Sequence, residues 1–311
     1  MSLSSTQKDG LGVLFTHISR YMILDIIFIR HAQSCANIWK KVSKIKQITY
    51  KDPELTEAGI KTSIKLSPIL LSKITKLWKN NPYTVGASQM IRTQETAYYM
   101  IGNNKPINII PHVGEAGVSY DNYSFPKDKQ REYIKQRNPK ILESLDKGID
   151  SREKQTNSGK SNWPMFLKWA VNNLNSFGKG SDGIYRTVIF THSHFLKNSF
   201  KLSNKEKIIN NNGIRVIISN DNIKHEHIKI NIGGTLILNT PDKCRISPYT
   251  KDTRKSNKSI KTIKTNTKTR KRPCKSACNE FMNNDDLLTN YNQHTYKEHL
   301  LNLISYSQKS T

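Results

Sequence analysis

Four side chains could carry anion chemistry if the fold brings them together: Arg30 and His31 in FIRHAQSCAN (28–37), Arg92 in SQMIRTQETA (88–97) and His192 in VIFTHSHFLK (188–197). Two guanidinium groups and two imidazoles in one pocket repel one another unless a strongly anionic ligand compensates them. A phosphate dianion does so, because planar guanidinium groups grip its oxygens in pairs and imidazoles donate hydrogen bonds or attack phosphorus. The chemistry indicated is phosphoryl transfer.

The elements that must position these groups are visible as apolar runs. ILDIIFI (23–29), YTVGAS (83–88), INIIPH (107–112), YRTVIFTH (185–192), IRVIIS (214–219) and TLILN (235–239) read as strands. Helix-like stretches separate them, the alternation of an α/β sheet with crossover helices. The longest, LTEAGIKTSIKLSPILLSKITKLW (55–78), has Thr56 as N-cap and apolar residues at helical spacing through Ile60, Ile64, Leu70, Leu71, Ile74 and Leu77, with Pro68 as a point of kinking or splitting. The first, second and fourth strands each end in a polar cluster that leads into a helix. Ligands of open α/β sheets bind beyond the carboxyl ends of the strands, so the three clusters are expected to converge. Residues 121–162 are polar and rich in Lys, Asn, Gln and Ser; they read as a surface insertion or lid that does not build the core.

The 311 residues, 35% hydrophobic, allow one large domain or a domain with appendages. A net charge of +26 predicts attraction to phosphate esters, nucleic acid or acidic membrane without choosing among them. Cys35, Cys244, Cys274 and Cys278 are too few and too scattered for a disulfide-stapled domain and read as reduced. That places the protein inside the cell, in the cytoplasm, with the nucleus left open by the basic tail described next. His17, Arg20 and Asp25 interrupt the apolar patch near the start, which argues against a signal peptide or membrane span, and no membrane partner is expected.

The character changes after residue 240. Between Lys251 and Lys275 eleven Lys or Arg face one acid, so this segment holds a net +10. It reads as a disordered basic linker (241–278), leaving open a solvated tail, a localisation signal or a backbone-directed, salt-sensitive contact to nucleic acid or another acidic partner. Residues 279–311 regain helical spacing through Leu287, Tyr291, His294, Leu300 and Leu303, as a short docking helix would. The spacing C-x₃-C-x₁₅-H-x₄-H from Cys274 to His299 has too long a central gap for a zinc finger; reduced thiols and solvated histidines are the reading.

RHAQSCAN (30–37) resembles the R-H-G-[EQ]-S-x-x-N signature of the histidine phosphatase superfamily, also called phosphoglycerate mutase-like. DPELTEAG (52–59) resembles its D-x-x-L-T-x-x-G segment, SQMIRTQETA its S-x-x-x-R-x-x-Q-T-A segment and VIFTHSHFLK its closing strand, all in the family's order over roughly residues 22–220. The resemblance implies a three-layer α/β/α sandwich with a mostly parallel central sheet, filling residues 22–240 after an N-terminal extension of 1–21. It implies His31 as the nucleophile that becomes phosphohistidine, Arg30 and Arg92 as phosphoryl ligands, His192 as a further donor to the transferring group and Glu115, in PHVGEAG, as proton donor. Asn37, Gln33 and Ser193 are implied on the substrate side, with no metal and no cofactor. Ala32 and Ser193 stand where the family has Gly; Ala32 is compatible with the turn unless φ is positive there. His194 is read as structural rather than catalytic. The activity implied is metal-independent hydrolysis of a phosphomonoester, on a small molecule or a phosphoprotein. The alternatives are a phosphoglycerate mutase-type phosphotransferase and a non-catalytic phosphate- or nucleic-acid-binding protein.

Overall fold

A computed structural model describes residues 22–231, apart from 45–46, 48–49, 103–104, 116, 118–119, 152–161, 204–205, 207 and 220–221, and adds Cys244. All the described residues fall within one compact unit, Met1–Thr250. The N-terminal extension, the TLILN strand, the basic segment and the C-terminal helix all lie outside the described residues.

Strand β1 (Leu24–Arg30) is buried along its whole length, as expected for a central strand covered on both faces. It lies parallel to β5 (Tyr185–Thr191), which lies parallel to β2 (Thr84–Ala87), which lies parallel to β3 (Ile107–Ile109). On its other side β1 pairs antiparallel with β6 (Gly213–Ser219), and β6 with β7 (Asn222–Ile228). A two-residue β4 (Gly178–Lys179) pairs antiparallel with the start of β5, completing a seven-stranded sheet of order β3-β2-β5-β1-β6-β7. Its parallel half, β3-β2-β5-β1, is the half whose carboxyl ends carry the polar clusters.

The helices are α1 (Cys35–Val42), α2 (Glu57–Trp78), α3 (Ile91–Ile101), α4 (Lys127–Arg137), α5 (Pro139–Ser151), α6 (Trp163–Asn172) and α7 (Ser193–Ser199). Successive side chains of a strand point to opposite faces, and β1 shows this directly. Ile27 and Ile29 join the core with Leu66, Leu70 and Ile74 of α2 and Ile91 and Met100 of α3. Phe28 turns the other way, its ring 5.5 Å from Phe166 of α6 and 5.4 Å from Phe195 of α7. Helices therefore cover both faces, and the architecture is three-layered α/β/α.

α2 begins where the sequence places it, with the Thr56 hydroxyl accepting from the Gly59 amide. It runs unbroken through Pro68: Ile64, whose carbonyl loses its helical donor there, is 53% exposed and lies on the solvent side. The reading of residues 121–162 is corrected, because Tyr133 and Ile134 of α4 and Ile141, Leu145 and Ile149 of α5 are core residues. Strand β7, NIKHEHI, escaped the sequence reading because an edge strand facing water on one side has no apolar run.

The reading of all four cysteines as reduced is also corrected, since Cys35 and Cys244, 209 positions apart in sequence, form a disulfide with Cα atoms 5.6 Å apart. Spacing along a chain does not report proximity in space, and the cysteine argument for an intracellular compartment falls with this pairing. No helix among the described residues is long and apolar enough to cross a membrane.

Candidate active site

The three polar strand ends do converge. The His31 amide, one residue past β1, donates to the carbonyl of Thr191 at the end of β5 (2.9 Å), and the Ser88 amide, one residue past β2, donates to the Phe190 carbonyl (3.0 Å). This continues the parallel ladder beyond the strands and sets His31, Ser88 and His192 side by side. The His31 and His192 rings lie 5.2 Å apart, centroid to centroid.

Each imidazole has one nitrogen fixed by the protein. His31 Nδ1 donates to the carbonyl of Ala32 (2.7 Å), so its Nε2 carries the lone pair. His192 Nε2 is hydrogen-bonded to the Ser88 hydroxyl (2.7 Å), while its buried Nδ1 has no partner. The loop is braced from below: Asn210 Nδ2 donates to the His31 carbonyl (2.6 Å) and the Ala32 amide donates to Thr96 Oγ1 (3.0 Å). Ala32 is not among the residues with positive φ, so its methyl group sits in place of a hydrogen without backbone strain.

The guanidinium groups are buried beside the rings, Arg30 being 8% and Arg92 2% exposed. Arg30 Nη1 donates to the Ile208 carbonyl (2.7 Å) and Arg92 Nη1 to the Asp121 carbonyl (2.9 Å), which orients both groups. The Nε of each is buried without a partner. Buried donors without acceptors are costly and uncommon, and each guanidinium group holds one, while His192 Nδ1 is a third buried nitrogen without a partner.

Glu115 is the counter-charge. Its carboxylate and both rings offer ligand atoms that all lie within 4.8 Å of one another. Two imidazoles and a carboxylate at that spacing are a donor set a divalent cation accepts, but two buried guanidinium groups act on the same rings and favour an anion instead. Burial holds both imidazoles well below their ordinary range, with Arg92 and Arg30 adding to it and His31 adding to the shift of His192. Both are therefore neutral near pH 7. Burial pushes the Glu115 carboxyl up, but a hydrogen bond from His194 and the guanidinium groups of Arg92 and Arg30 outweigh it, leaving the group below the usual carboxyl range.

The arrangement thus brings together Arg30, His31, Arg92, His192 and Glu115. Asn37 and Gln33 have other uses: Asn37 Oδ1 caps the loop by accepting from the Ser34 amide (3.1 Å), and Gln33 Oε1 accepts from the Thr56 hydroxyl (3.0 Å). Ser193 is the first residue of α7 and is half-buried. The sequence reading gave no role to Ser88, although it stands first in the SQMIRTQETA segment and its hydroxyl fixes His192. Asn210 carried no signal, being a loop residue 179 positions from the group it holds.

No protein-family model matches the chain, and no curated protein matches it. Among solved structures it is similar to a phosphoglycerate mutase from Bacillus anthracis str. Sterne, at 13% identity over 66% of this chain and 92% of that one, with a TM-score of 0.38. It is also similar to a phosphoserine phosphatase from Entamoeba histolytica in complex with 3-phosphoglyceric acid (17%, 67% and 98%, 0.39). A mycobacterial glucosyl-3-phosphoglycerate phosphatase gives 12% identity, 66% and 97% coverage and a TM-score of 0.38.

Proposed function

We propose that this protein is a phosphomonoester hydrolase of the histidine phosphatase type, acting through a phosphohistidine at His31. The observation that carries the reading is the set of three unpartnered buried nitrogens, Arg30 Nε, Arg92 Nε and His192 Nδ1, on side chains that act on or adjoin a neutral imidazole whose Nε2 bears a lone pair. A tetrahedral dianion satisfies all three while presenting its phosphorus to that lone pair. The Nε2 attacks in line, the guanidinium groups and His192 stabilise charge on the equatorial oxygens, and the Nδ1–H to Ala32 steadies the ring as it becomes cationic. Glu115 supplies a proton to the leaving oxygen and accepts one from the water that hydrolyses the phosphoenzyme. The substrate belongs to the phosphate monoesters of small molecules or proteins.

The test is hydrolysis of p-nitrophenyl phosphate in the presence of a chelator, with acid-quenched phosphoenzyme measured in parallel. Turnover that survives chelation, with an acid-labile phosphoenzyme that disappears in His31→Ala, is the expected outcome. Silence of the unmodified protein on this substrate, together with no phosphoenzyme from either a monoester or a bisphosphate donor, overturns it.

A further inference from the structure

Glu115 has two faces. Its Oε2 lies 3.8 Å from His192 Nδ1, on the side of the site. Its Oε1 accepts from His194, from Nδ1 at 3.0 Å and from the backbone amide at 3.3 Å. His192 is fully buried, whereas the His194 side chain is 54% exposed, so the carboxylate stands between the buried site and an imidazole that meets water. The alternation His192-Ser193-His194 at the start of α7 builds this, turning one ring inward and the next outward.

Resting on the hydrolase reading above, we propose that His194 is a positioning residue for Glu115 and its proton store, so that the leaving-group proton travels from His194 Nδ1 through Glu115 to the departing oxygen. When the P–O bond breaks, its electron pair stays on the leaving oxygen. His194 starts as an imidazolium beside the Glu115 carboxylate: its Nδ1 gives a proton to the carboxylate, and the carboxyl so formed, turning about its Cγ–Cδ bond, gives that proton to the leaving oxygen, which leaves His194 neutral and Glu115 anionic. In the second half of the cycle the attacking water gives its proton to Glu115 and the carboxyl returns one to His194, so the dyad ends as it began.

The relay answers a need that Arg30 and Arg92 create. Both act on Glu115 and favour its anion, and an anionic carboxylate has no proton to give. A neighbouring imidazole, a type of group that titrates closer to neutrality than a carboxyl, keeps one within a single hydrogen bond.

The experiment uses the full chain and a series of para-substituted phenyl phosphates of rising leaving-group pKa, from p-nitrophenyl to p-methoxyphenyl. A nitrophenolate departs without help, and a poor leaving group needs the acid. His194→Gln keeps a side-chain donor to Glu115 but holds no transferable proton. The expected result is a loss of kcat/KM of under about tenfold on p-nitrophenyl phosphate growing to about 10²-fold on p-methoxyphenyl phosphate, with Glu115→Gln showing the same steepened slope. An equal loss across the series, or a slope unchanged from the parent in His194→Gln, overturns the relay while leaving the hydrolase reading intact. A parent silent on every member with no phosphoenzyme overturns both.

Discussion

In the proposed reaction His31 attacks only while its ring is neutral, and the guanidinium groups assigned there to phosphate also keep it so. Burial lowers its basicity most, Arg92 next and Arg30 after that. The sign follows directly: the protonated, inactive form appears only well below pH 6.5, so the acid side of the activity profile lies below the ordinary imidazole range. Replacing Arg92 by Gln removes a cation that disfavours protonation of His31 and favours the anion of Glu115. Both groups then titrate at higher pH, and the whole profile of kcat/KM moves upward while its maximum falls about 10²-fold. Comparing parent and variant on one aryl phosphate cancels the substrate's own ionisation. A profile that falls in height without moving shows that Arg92 does not set these protonation states.

At the scale of elements, the loop that carries His31 rests on the first turn of α2. The Thr56 amide donates to the Gln33 carbonyl (3.0 Å), and a methyl group at Gly59 would collide with that same carbonyl oxygen. The contact explains why a glycine stands in DPELTEAG: the helix approaches the loop so closely that a hydrogen is all that fits. Gly59→Ala is expected to cost about 1–3 kcal/mol, read from urea unfolding, and to lower kcat more than the stability loss alone accounts for, since the shift passes to His31 two residues away. Unchanged kcat in a folded variant shows that the loop is positioned from elsewhere. This element was legible, because Thr56, the helical spacing and the motif agree with one another. α5 was legible in principle, its Ile141, Leu145 and Ile149 recurring every four residues, but the polar composition of the surrounding window hid them. The convergence of Arg30, His31, Arg92 and His192 was legible because each lies at a strand end or at the start of the element that follows one. The site was not legible where a residue far along the chain supplies the contact, as Asn210 from a loop does for His31 and His194 from α7 does for Glu115. Those pairings are made by the fold, and no spacing encodes them.

Across the whole molecule the site sits on a buried polar layer that responds to pH in opposite directions. Beneath the loop, Glu54 is 1% exposed and accepts from Tyr50 (2.8 and 2.9 Å), while Arg137 is committed to Glu95 (2.6 Å). Burial pushes the Glu54 carboxyl from 4.5 up to about 7, against the opposing pull of Arg137. A carboxyl raised on folding stabilises the native state in its protonated form. That contribution is fully present below about 4.5 and is lost as pH rises through about 7, a change of about 3 kcal/mol at 1.36 kcal/mol per pH unit. His31 and His192 act the other way, their neutral burial favouring the native state above pH 6.5 and losing that advantage as pH falls. The two trends offset each other in the parent, so its own pH dependence does not separate them. Glu54→Gln does, because glutamine resembles the protonated carboxyl at every pH while the histidines are untouched. Urea midpoints at pH 5 and pH 8 should show the variant close to the parent at pH 5 and more stable by about 2–3 kcal/mol at pH 8. A difference that is the same at both values means that Glu54 folds as an anion and that Arg137 reaches it more strongly than its bond to Glu95 allows.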